Sequence, residues 1–408
     1  MNIRLDAAFT ISSTLALITT CSPIPQPQVM PATERPTQTF DPDTKLTGSP
    51  VETIPPYKDQ PPTGALKEFI TDFSIHSIPY NKVHYGGPGK DGIPVIDFPK
   101  FVSVLEADDW IEPQEPIIVV RVKNDTRAYP IQILLWHEVV NDVVGGTPLV
   151  ITYCPLCNSG IAFERTVDGE VLDFGTTGRL FNSNLLMYDR HTESWWQQAN
   201  GQAVIGEYTG SQLRFHPVEM VAWEDFKQSF PSGLVLSRDT GEYRRYDLTP
   251  YHLYDDIKKE PFFYYGPEVP QILPSMMRII GVEFNGISVA YPYSSLEQQR
   301  LINDSVGGNE IVLIWSPDAV SALDKFRISN ARKVGSAVGY SRIIARRLLT
   351  FRSVDGKYFD AETGSEWDIF GRAVDGPMTG SQLDPIIATN HFWFSWFAFN
   401  PETQVYTP

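Results

Sequence analysis

At 408 residues the chain exceeds one typical domain, so two core-forming units are expected, and a hydrophobic content of 42% excludes global disorder. The formal net charge of -16 repels phosphate backbones and anionic surfaces, which excludes nucleic acid as the expected partner. An aromatic fraction of 12% with 29 Gly and 33 Pro predicts a mainly β fold with short helices, β-rich α+β, and not a helical bundle.

The N-terminus reads as an export signal. Arg4 precedes the apolar stretch "AAFTISSTLALITT", which is too short to span a bilayer. Its end, Leu17-Ile18-Thr19-Thr20-Cys21, resembles the bacterial lipoprotein box, in which the cysteine is lipidated and becomes the new N-terminus. Residues 1–21 are therefore expected to be a lipoprotein-type signal, with an ordinary secretory signal as the alternative. A lipidated Cys21 makes the membrane the one partner in view and places the protein in the periplasm or at the cell surface. Residues 22–62 are rich in Pro, Thr and Gln without periodicity, the composition of an extended tether.

Beyond the tether an internal duplication is expected. "VRVKNDTRAYP" ending at Pro130 aligns with "VEFNGISVAYP" ending at Pro292, and Cys154 meets Ser316 at the same offset of 162. Later, "TGSQL" recurs at an offset of 170, consistent with a loop insertion. Two copies of one β-rich unit follow from this, 101–232 and 276–402, joined by a Tyr-, Pro- and charge-rich linker over 233–275 that wraps one unit onto the other. The copies differ where chemistry could reside. His137 corresponds to Gln299, Glu138 to Arg300, Cys154 to Ser316 and Cys157 to Ala319.

Within each unit, apolar alternation on either side of Val-Asp-Gly predicts a hairpin. The spacing of Met220, Val221, Trp223 and Phe226 predicts a short closing helix. "HEVVNDVVGGTPLVITYC" reads as two strands around Gly145-Gly146, a pair suited to the positive φ of a two-residue turn. Opposed residues then have numbers adding to 291, which sets His137 across from Cys154 with Cβ atoms about 4.5–5.5 Å apart. Glu138 is expected on the other face.

The stretch Cys154-Pro-Leu-Cys157-Asn158 follows one strand and precedes another, whereas thioredoxin-type dithiols begin a helix. It is similar to the knuckle of rubredoxins and zinc ribbons, where Asn after the second Cys tolerates a left-handed conformation. A knuckle gives two ligands, so one Cu or Zn ion would draw on His137 first and His191 second. Two other readings stay open: a redox dithiol or cysteine nucleophile, and a structural disulfide. The latter closes a tiny loop and stabilises little.

Trp136-His137-Glu138, Tyr153 to Ser159, and Ser183-Asn184 through Trp196 resemble the hallmarks of a large prokaryotic family of exported proteins known only as a domain of unknown function. The resemblance identifies a family without a reaction. Glu138, Tyr153, Asn158 and Asn184 are expected to surround the cysteines. The sequence has no phosphate loop, hydrolase elbow or metalloprotease helix, so no nucleotide cofactor is expected. The expected protein is an exported, lipid-anchored binder of a transition metal, with a thiol enzyme and a non-catalytic binding module as alternatives.

Overall fold

The fold is taken from a computed structural model that describes residues 60–408. The expected signal with Cys21, and the tether as far as residue 59, lie outside the described residues.

In the leading segment the apolar run Pro116–Val122 (β1) is buried and pairs antiparallel with Asp125–Pro130 (β2). A run apolar on both faces is what a central strand requires. Pro130, with φ fixed near the helical value, leads into a helix, Ile131–His137 (α1). Strands Val139–Val144 (β3) and Thr147–Cys154 (β4) follow, joined by Gly145-Gly146 with φ of 55° and 87°. Their register pairs Val139 with Thr152 and Val144 with Thr147, both adding to 291 as expected. Ser159–Glu164 (β5) returns along β4, with Cys154 opposite Ser159. Phe174–Phe181 (β6) and Asn184–Asp189 (β7) form a second hairpin around Asn182-Ser183. Val218–Ala222 (β8) then pairs with β1 and runs into the helix Trp223–Ser229 (α2).

The trailing segment has the same succession of elements. Arg278–Phe284 (β9) and Ile287–Pro292 (β10) pair, then Tyr293–Gln299 (α3) leads into the hairpin Leu301–Val306 (β11) and Asn309–Ser316 (β12). Ser336–Ser341 (β13) returns along β12. Ala388–Phe392 (β14) pairs with β9 and runs into Trp393–Phe399 (α4). Both Val-Asp-Gly hairpins form, with the Asp and Gly at positive φ. Each Asp-x-x-Thr turn receives a Trp indole N–H, Trp196 on Asp189 and Trp367 on Asp360, both at 2.9 Å.

The two segments interlock. Strand β14 of the trailing segment packs on β5 of the leading one, and β8 of the leading segment packs on β13 of the trailing one. One apolar core joins Ile118 and Tyr153 to Ile279 and Phe392, and another joins Trp223 and Phe226 to Tyr340 and Leu383.

One expectation is corrected here. The helix expected from Met220 begins only at Trp223, because Met220 and Val221 are paired with Ile118 and Ile117 in the sheet. Among the described residues no helix is long and apolar enough to cross a membrane.

Candidate functional site

The two cysteines sit where β4 turns back into β5. Cys157 N–H donates to Cys154 O at 3.2 Å, Asn158 N–H donates to Pro155 O at 3.3 Å, and Asn158 takes φ 52°. This left-handed residue reverses the chain, so neither sulfur lies at a helix N-terminus. Both thiols are free and buried, Cys154 at 2% and Cys157 at 0% exposure.

Polar groups converge on them from the neighbouring hairpin. Asn182 and Ser183 both hold positive φ, 51° and 67°, in the β6–β7 turn. This conformation aims the Ser183 carbonyl at the thiols, which donate to it at 3.9 Å from Cys154 and 3.5 Å from Cys157. Asn184 Nδ2 donates to Cys157 Sγ at 3.3 Å and to Gln198 Oε1 at 2.7 Å. Its Oδ1 accepts from Ala199 N–H at 2.9 Å and from the Gln197 amide, so the carboxamide is fixed at both ends. Tyr153 hydroxyl donates to Asn158 Oδ1 at 3.2 Å, bracing the turn from β4.

The pair is electrostatically unequal. Burial pushes the Cys154 thiol well up, and hydrogen bonding to Cys157 adds to it. Burial works the same way on Cys157, but hydrogen bonds from Cys154, Ser395 and Asn184 outweigh it and hold that thiol below its ordinary value. Cys157 is therefore the sulfur prepared to lose its proton.

The structure reverses the expected places of His137 and Glu138. The paired register runs only from Val139 opposite Thr152, and His137 is the last residue of α1, so it does not stand across a strand from Cys154. Its ring Nδ1 lies 2.6 Å from Pro94 O and Nε2 lies 2.7 Å from the Tyr246 hydroxyl. A carbonyl can only accept, so Nδ1 carries the proton and Nε2 accepts from Tyr246; no lone pair is left for a metal. Glu138, at the helix end with φ 57°, accepts a strand hydrogen bond from Tyr153 N–H at 2.8 Å. Its carboxyl is buried, and in its charged form it would raise both thiols, whereas the imidazole is not among the groups that shift them. Burial pushes that carboxyl up to about 8, opposed by a hydrogen bond from Tyr251 hydroxyl at 3.3 Å. His191 is exposed in the turn after β7, where its N–H donates to Asp189 Oδ1 at 3.1 Å.

Three contributors were not read from the sequence. Tyr251 and Tyr254 come from the linker; Tyr254 hydroxyl donates to Leu156 O at 2.9 Å, over the cysteine turn. Ser395 comes from α4 of the trailing segment, which Phe392 N–H ties to Cys157 O at 2.8 Å. The signal for Ser395 was a lone hydroxyl within the aromatic run "HFWFSWFAF"; Tyr251 and Tyr254 had none beyond the linker's aromatic content.

Among the described residues, no group of three or more His, Cys, Asp and Glu side chains is placed to hold one metal ion. The Cys₂His centre thus lacks its third ligand. What remains is a buried dithiol with one acidified sulfur and one retained proton.

A family model described as "Protein of unknown function (DUF3179)" matches residues 90–403. No curated protein and no solved structure matches the chain.

Proposed function

The chain belongs to the DUF3179 family of proteins of unknown function, and on that premise we propose that it is an exported, lipid-anchored protein whose Cys154–Cys157 pair is a reversible dithiol–disulfide centre. The observation that carries this reading is the donor set on one sulfur alone. Asn184, itself held by Gln197 and Gln198, is aimed at Cys157 and not at Cys154. A purely structural cysteine has no use for such an arrangement, whereas a nucleophilic thiolate needs it.

The step balances as thiol–disulfide exchange with an organic disulfide as oxidant. The Cys157 thiolate attacks one sulfur of that disulfide, forming a mixed disulfide and releasing a thiolate that takes up a proton. Cys154 then gives up its proton and displaces the second thiolate, leaving the Cys154–Cys157 disulfide and two reduced thiols. Burial of both sulfurs requires the segment bearing Tyr251 and Tyr254 to move aside for the partner. Lipidation of Cys21 supplies the anchor, and residues 276–402 are read as a second copy of the unit that has lost the thiols.

The test is an equilibrium titration of the full chain in glutathione buffers, with iodoacetamide trapping and mass spectrometry. The two thiols are expected to disappear and return together around one midpoint. Thiols that stay reduced through the oxidising end, or that oxidise without return, would sink the reading. Elemental analysis accompanies it. Stoichiometric Cu or Zn that is lost in Cys154→Ser would favour metal handling instead.

A further inference from the structure

Where the two segments meet beside the cysteine turn, the chain forms a small, largely enclosed cavity. Its walls are mostly apolar, with Ile131 and Met220 from the leading segment and Val320 from the trailing one. Three polar side chains share the lining: Asn158 of the cysteine turn, Arg278 at the start of β9 and Ser336 at the start of β13. They are buried, at 3%, 8% and 1% exposure. One atom of each, Asn158 Nδ2, Arg278 Nε and Ser336 Oγ, has no hydrogen-bond partner among the described residues. A buried donor left so is costly, and a charged one more so.

We propose that this cavity binds one monatomic anion of the halide class, held by the Arg278 Nε–H, the Asn158 amide and the Ser336 hydroxyl. The inference uses neither thiol and stands apart from the dithiol reading. The remaining atoms of the three side chains are already committed. Asn158 Oδ1 accepts from the Tyr153 hydroxyl at 3.2 Å, which leaves the amide N–H groups to the cavity. Arg278 Nη2 donates to Asp255 Oδ2 at 2.7 Å and to Ser321 Oγ at 2.8 Å, which leaves Nε.

The proton inventory selects an anion over water. Both nitrogens can only donate, and the serine hydroxyl can donate as well. A water would accept from the two N–H groups but bring two protons of its own, and Ser336 Oγ is the single unpartnered side-chain atom of the lining able to accept one. A halide accepts from all three and adds no proton. Size selects within the anions. The free space is that of a single water molecule, which excludes carboxylates, sulfate and phosphate and leaves the anion nearest to water in size. So placed, the ion ties the residue after Cys157 to two strands of the trailing segment and braces the turn that carries both cysteines.

The experiment is thermal unfolding of the full chain in sodium chloride and in sodium gluconate at matched ionic strength, together with a crystal grown in bromide. The midpoint is expected to rise with chloride and then level off, with bromide replacing chloride and sulfate failing to do so. The bromide crystal is expected to show an anomalous peak within hydrogen-bonding reach of Arg278 Nε, Asn158 Nδ2 and Ser336 Oγ. Ser336→Ala removes one donor and is expected to require about tenfold more chloride for the same rise. Asn158→Gly, which keeps the left-handed turn and removes the amide, is expected to act in the same direction. Should either variant fail to fold, the wild-type bromide crystal still decides. A midpoint that follows ionic strength alike in chloride and gluconate, a rise that never saturates, or a bromide crystal without the peak would overturn the proposal and assign the space to water.

Discussion

A buried carboxyl holds its proton, and Glu138 is the residue where that has a measurable cost. Its value is pushed up to about 8 by burial, against an ordinary value of 4.5. The folded chain therefore binds this proton more tightly than the unfolded chain. The associated stability is fully present below about 4.5 and is lost as pH rises through about 8. Glu138→Gln keeps an acceptor for Tyr251 and removes the titration. Wild type and variant are expected to unfold at similar urea concentrations near about pH 5, and the variant to be the more stable near about pH 9, by at most about 5 kcal/mol. Parallel loss of stability in both proteins would show that the carboxyl does not titrate in this window. His137 contrasts with it. With both ring nitrogens satisfied by Pro94 and Tyr246, His137→Ala is expected to cost about 1–3 kcal/mol by urea unfolding and to leave the Cys157 titration in place.

At the scale of elements, the β3–β4 hairpin separates what a sequence encodes locally from what packing adds. Gly145 and Gly146 share the turn and both hold positive φ. A Cβ on Gly146 would meet nothing within 4 Å, whereas one on Gly145 would lie 2.5 Å from Val122 O in the neighbouring β1–β2 turn. Gly146→Ala is expected to cost about 1 kcal/mol, the left-handed penalty alone, and Gly145→Ala about 2–4 kcal/mol. Urea unfolding midpoints check the difference, and equal costs would mean that the two turns do not press on each other. The turn and its register were legible because a glycine pair and alternation specify them within a few residues. The helix just before was not. Six of the seven residues of α1 are buried, so no polar face marks a helical period, and Pro130 at its cap offers no side-chain acceptor. An apolar run between strands reads as more strand, and the strand begins two residues later than the sequence suggests, at Val139, which exchanged the roles of His137 and Glu138.

At the scale of the molecule, the site exists only where three parts of the chain meet, and reading any one segment of the sequence by itself could not reveal that. The cysteine turn was legible from its own residues. Its neighbours arrive from the linker and from the trailing segment, across separations of about a hundred residues or more, as with Tyr251 on Glu138 at a separation of 113. Asp255 is the residue that fixes this meeting. Its carboxylate accepts from Arg278 Nη2 at 2.7 Å, Ser321 Oγ at 2.6 Å and Arg332 Nη2 at 2.8 Å, locking the linker to the trailing segment one residue after Tyr254. Burial alone would raise this carboxyl, but Arg278, Ser321 and Arg332 outweigh it and hold it below its ordinary value. Asp255→Asn leaves Arg278 buried without its counter-charge, for an expected loss of about 3–5 kcal/mol. If this segment covers the dithiol, iodoacetamide should also reach Cys157 faster under native conditions. Gly307→Ala is the control, since its Cβ would lie 2.2 Å from Phe284 O in the trailing hairpin, away from the linker. A comparable loss of stability there should speed alkylation less, because local opening at the linker and global unfolding expose the sulfur by different routes. Equal acceleration in both variants would mean that the sulfurs are reached only through global unfolding, and that the linker is no cover.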